Sequence, residues 1–106
     1  MIITKKDPYT LEEIEKKNTY IPLSSLAMDL DRVSKGVYRK SYKMVERFTQ
    51  EALMRKKEID PERVKPYVAR LLDKIEKVLE SDNSEQKAED ILMYSILFQN
   101  VALKLR

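Results

Sequence analysis

The sequence predicts an all-α protein: a three-helix bundle, with one long helix and two shorter ones, plus a short N-terminal helix. Three observations carry this. One glycine and four prolines in 106 residues are too few turn formers for a β chain. Leu, Lys, Glu and Arg, all good helix formers, dominate the composition. Three stretches also keep their apolar residues in helical phase. The length fits one domain with a modest core and a high surface-to-volume ratio. It divides into an N-terminal segment, 1–22, and a helical bundle, 23–106.

At the N-terminus, Thr10, Leu11, Glu12 and Glu13 read as a capping box. A short helix from Leu11 to about Lys17 is expected to follow, with Asn18 as its stop. Thr19, Tyr20, Ile21 and Pro22 should be extended, because the residue before a proline avoids the helical region. Tyr20 and Ile21 are expected to pin this segment onto the bundle.

The long helix is placed at 23–57. Leu23, Leu26, Leu30, Val33, Val37, Ser41, Met44, Val45, Phe48 and Ala52 share one face of it. Gly36 in its middle admits two readings, a left-handed cap that splits the helix or a tolerated interior glycine. The unbroken apolar phase from Leu30 to Phe48 favours a continuous helix. On that reading Gly36→Ala should stabilise.

Asp60, Pro61 and Glu62 make a helix start, and Pro66 then forces a kink before a regular helix to Glu80. Its stripe is Val64, Val68, Leu71, Leu72, Ile75, Val78 and Leu79. Residues 81–84 are a polar turn, so the last helix, from about Glu85 to Lys104, should run back antiparallel. Ala88, Ile91, Ser95, Phe98, Ala102 and Leu105 form one face of it. The other side is also apolar, with Leu92, Met93, Ile96, Leu97 and Leu103. A helix apolar almost all round is either central to a bundle or shared with a partner. These five are therefore the candidate protein interface. Leu92, Ile96 and Leu103 are expected to bury against another chain or, in a compact monomer, against the long helix.

Charge is the second functional signal. The net charge is only +3, yet six bases and a single acid lie between Arg32 and Arg47, a local +5. Arg32, Lys35, Arg39, Lys40, Lys43 and Arg47 are the candidate contacts for phosphates or an acidic partner. Tyr38 and Tyr42 flank them and could stack on bases. The competing reading is an ordinary solvated helix face whose stems cover apolar surface.

Other chemistries lack their residues. Without Cys or His there is no thiolate, zinc site or nucleophilic triad, and one glycine does not make a phosphate loop. The carboxylate pairs Glu12 with Glu15 and Asp73 with Glu76 share helix faces but should be solvated. No catalytic residue, metal, cofactor or small-molecule substrate is therefore expected. The N-terminus does not read as a secretory signal, and the apolar run 91–98 is too short to span a bilayer. A cytoplasmic location is expected. The 37% charged fraction, with few Asn and Gln, fits a thermophile, although a charged mesophilic bundle would look the same. The functional expectation is a non-catalytic accessory or adaptor that docks on a larger protein subunit or forms a homo-oligomer. It would sit within a nucleic-acid-processing assembly. The alternative is a sequence-independent nucleic-acid binder.

Overall fold

A computed structural model describes residues 11–105, and their side chains from residue 18 onward. Four helices follow one another: α1 (Leu11–Tyr38), α2 (Tyr42–Glu58), α3 (Pro66–Glu80) and α4 (Glu85–Leu105). A 3₁₀ turn at Pro61–Arg63 joins α2 to α3. No strand occurs among the described residues, so the all-α class holds. The capping box begins at Thr10, outside the described residues.

Two sequence expectations are corrected. The segment 19–22 is not extended: α1 runs through Asn18 and Pro22 without a stop, and the division drawn at 22 falls inside it. Pro22 removes one hydrogen bond from the helix. Thr19 is buried and Tyr20 packs on the core, so tertiary contact on the preceding turn overrides the local preference. Ile21, by contrast, points to solvent rather than pinning anything.

The second correction is larger. The helix placed at 23–57 is two helices, broken at residues 39–41. An unbroken helix would extend on the order of 50 Å with its apolar stripe uncovered. Folding back lets α2 run antiparallel along α1, so that Val33 and Val37 share a core with Val45 and Ala52. Among the described residues the bundle consequently has four helices, with α1 in contact with both α2 and α4.

Neither reading of Gly36 places the break where it is. Gly36 lies within α1, and the left-handed residue is Lys40, with φ 57°. The Ser41 amide donates to Gly36 O and the Lys40 amide to Val37 O, at 2.9 and 3.1 Å. Those two bonds define a Schellman stop, with lysine where glycine is usual. Gly36 serves a different purpose, the close approach of α2. A Cβ there would lie 3.0 Å from Val45 Cγ2 and 3.2 Å from the Val45 backbone nitrogen.

The backbone atom cannot move aside without shifting α2. Gly36→Ala should therefore lower stability by about 1 kcal/mol in urea unfolding. Overpacking of roughly 1–3 kcal/mol outweighs a helix-propensity gain of about 1 kcal/mol. A gain in stability would show that α2 yields.

The remaining elements match the local signals. Asp60 accepts from the Glu62 amide at 2.9 Å and starts the 3₁₀ turn. Val68, Leu72, Ile75 and Leu79 of α3 are buried. Ser84 caps α4, its Oγ accepting from the Lys87 amide at 3.2 Å. Lys87 itself, not suggested by the sequence, is a buried cation that spends its three protons on the end of α3. Its ammonium donates to Leu79 O, Ser81 O and Asn83 Oδ1 at 2.8, 2.9 and 3.0 Å. Burial pushes its pKa down, with Asp82 opposing.

Two buried hydroxyls fix α4 against α1. Ser34 donates to Ala88 O at 2.8 Å and Ser95 to Ala27 O at 2.7 Å. The pairings 34 with 88 and 27 with 95 make the helices antiparallel. Small residues at all four positions let the helices approach closely.

Candidate functional site

The fold divides the six candidate bases into two groups. Arg32 reaches Asp29 at 3.7 Å, Lys35 reaches Asp31 at 2.8 Å and Arg47 reaches Glu51 at 3.5 Å. Arg32 on α1 and Arg47 on α2 also stack on the Phe48 ring, 5.1 and 5.2 Å from its centre. Each of the three ion pairs lies within one helix, and Arg32 and Arg47 also meet across α1 and α2 over Phe48.

Arg39, Lys40 and Lys43 stand apart. All three are exposed at the turn between α1 and α2, with no acid within 4 Å among the described residues. Tyr38 and Tyr42 bracket the turn and are 51% and 62% exposed. What the sequence presents as one basic face along a single helix is therefore a tip of three unneutralised cations and two open aromatic rings. That combination suits a polyanion, since cations meet phosphates and rings can stack on unpaired bases.

Arg32 also borders a buried acid that sequence reasoning did not single out as a site. Asp29 faces α2 and is almost wholly buried, with Arg32 at 3.7 Å and Arg55 at 4.0 Å. Its pKa is raised to about 6, first by burial and next by the charge and hydrogen bond of Glu51. Arg55 and Arg32 oppose that shift. The only signal in the sequence was an acid inside the apolar phase, between Leu26 and Leu30.

Of the two carboxylate pairs expected to be solvated, the side chains of Asp73 and Glu76 are described. Asp73 is exposed, and Glu76 takes Lys56 at 2.7 Å, which holds its pKa below the usual value. The side chains of Glu12 and Glu15 lie outside the described residues. No cluster of acids suited to a metal ion occurs among the described residues.

The second surface is apolar. Leu92, Met93, Ile96, Leu97 and Leu103 are 37–54% exposed, so none packs away against α1 as a compact monomer would require. Ala88, Ile91, Ser95, Phe98 and Ala102 take the inward side of α4 instead. Leu92 and Ile96 border a groove of about 450 Å³ between α4 and α1, where they meet Ala27 and Met28. Asp31, Arg32 and Lys35 form its polar edge. Met28 is half exposed and widens the apolar area across both helices. No helix among the described residues is long and apolar enough to cross a membrane. No family model, curated protein or solved structure matches the chain, which leaves these two surfaces as the ground for a functional reading.

Proposed function

We propose that this is a non-catalytic helical accessory protein, acting in the cytoplasm, that docks through the outward side of α4 onto a larger subunit or a second copy of itself. The observation that carries the reading is the run of five exposed apolar side chains, Leu92, Met93, Ile96, Leu97 and Leu103, on one helix. Single exposed apolar residues are ordinary on a small protein, but a contiguous area spanning α4 and Met28 of α1 marks an interaction surface. Aliphatic and methionine side chains at its centre with charges at its edge are what a protein interface presents.

A second reading is favoured by the tip at Arg39, Lys40 and Lys43 with Tyr38 and Tyr42. It is a sequence-independent contact with nucleic-acid phosphates, which would place the adaptor in a nucleic-acid-handling assembly. The two surfaces lie on different helices, so one protein can use both.

Affinity capture with wild type, Ile96→Glu, and the triple variant Arg39→Gln, Lys40→Gln, Lys43→Gln, each with and without nuclease, tests the docking reading. A specific protein retained by wild type and by the triple variant after nuclease, but lost by Ile96→Glu, is the expected result. Retention by Ile96→Glu would remove α4 as the docking surface. Ile96 is exposed, so the folded state should tolerate the glutamate.

A further inference from the structure

The outward side of α4 has an internal symmetry. At 100° per residue, Glu89, Met93, Ile96, Leu97, Asn100 and Lys104 fall on the side opposite its buried face. All six are exposed. The midpoint between Ile96 and Leu97 is also the midpoint of Met93 with Asn100 and of Glu89 with Lys104. Reversing the helix about that point therefore exchanges the acid for the base and keeps the apolar centre in place.

We propose that the occupant of the α4 surface is a second copy of this chain, with the two α4 helices antiparallel about a two-fold axis between Ile96 and Leu97. The inference rests on reading α4 as a docking surface and names what covers it. In this register Ile96 of each copy packs against Leu97 of the other, and Met93 covers the stem of Asn100. Glu89 of each copy lies beside Lys104 of the other, giving two ion pairs at the ends of the seam. The same patch serves both subunits, as a two-fold interface requires. A parallel pairing would instead set Glu89 against Glu89 and Lys104 against Lys104, which is repulsive at both ends. The antiparallel arrangement also sets each helix dipole against its opposite.

The test is sedimentation equilibrium over a concentration series, with circular dichroism to verify folding. Wild type should rise toward twice the 12.6 kDa chain mass, and Ile96→Glu should remain folded and monomeric. Lys104→Glu should weaken association about fivefold, since two exposed pairs become repulsive. Adding Glu89→Lys to it should restore wild-type association. The chain has no cysteine, so orientation can be read directly. Ile96→Cys should cross-link into a disulfide dimer under mild oxidation. Lys104→Cys should not, because antiparallel pairing separates those residues by on the order of 20 Å. Failure of the double charge swap to restore association, or efficient cross-linking through Lys104→Cys, would overturn the antiparallel seam. Wild type that stays monomeric at every concentration would overturn the second copy as occupant. Docking on a different protein would still be judged by the Ile96→Glu capture experiment.

Discussion

Stability should fall as pH rises from about 4 to about 6, opposite to the usual acid-denaturation slope. The cause is Asp29, whose carboxyl is buried between α1 and α2 with its pKa raised from the ordinary 3.8 to about 6. In that interval the folded protein holds the Asp29 proton and the unfolded chain has released it. Folding is thus helped by acid below the unfolded pKa, and the help is lost as pH climbs through the folded one. Each pKa unit is worth about 1.4 kcal/mol, so the loss should be about 1–3 kcal/mol, complete by pH 7.

Glu76 works in the other direction. Its pKa is held down by the Lys56 hydrogen bond, so the stability it adds disappears only as pH drops below the ordinary glutamate value. The two groups therefore act in opposite directions, Asp29 losing its contribution as pH rises and Glu76 as pH falls. Asn resembles the protonated acid in shape and lacks the charge. Asp29→Asn should remove the slope between pH 4 and 6 and stabilise the protein at pH 7. Urea unfolding of both proteins across that range is the measurement. A wild-type profile that is flat or rising there would show that Arg32 and Arg55 stabilise the ionised form more than burial and Glu51 oppose it.

The parts of this fold legible in the sequence are those fixed by local chemistry. Asp60 with Pro61, Pro66 and the polar turn before Glu85 each set a helix end through backbone constraints that act within a few residues. The stripes of α3 and α4 were legible for a related reason, because burial on one side leaves a period that needs no knowledge of the neighbour. The break between α1 and α2 left no such mark. Val37 and Val45 stay in helical phase across it, and its left-handed position carries Lys40 where Gly36 drew attention.

Pro22 misled for the converse reason, since a strong local preference was overridden by packing of Thr19 and Tyr20. The division of the six bases was legible in principle and was missed. Arg32, Lys35 and Arg47 meet Asp29, Asp31 and Glu51 three or four residues away on their own helices, a spacing the sequence displays. Arg39, Lys40 and Lys43 have no acid within 4 Å among the described residues. Lys87 left no local mark: its three acceptors lie on the end of α3 and the turn after it, and its ammonium reaches them only when α4 packs back on α3.

Replacing Arg39, Lys40 and Lys43 together by Gln should weaken binding to generic DNA or RNA about a hundredfold at low salt. Each lost phosphate contact releases less counterion, so the log–log salt slope should fall by about 1 per residue, almost equally for unrelated sequences. Lys35→Gln should change little, because Lys35 is already committed to Asp31 at 2.8 Å. Tyr42→Ala should weaken single strands more than duplex, since only unpaired bases offer a face for stacking.

Lys40 supplies the sharpest discrimination. A lysine at φ 57° pays a steric cost that glycine does not. Lys40→Gly should therefore stabilise the fold by about 1 kcal/mol in urea unfolding. If the turn serves only as a connection, that gain comes free, and fluorescence anisotropy over a salt series will show the same weak, flat response in both proteins. If the tip grips phosphates, Lys40→Gly will be more stable and bind less well, with a slope shallower by about 1. Opposite signs for stability and affinity at one residue are not produced by misfolding, which would depress both.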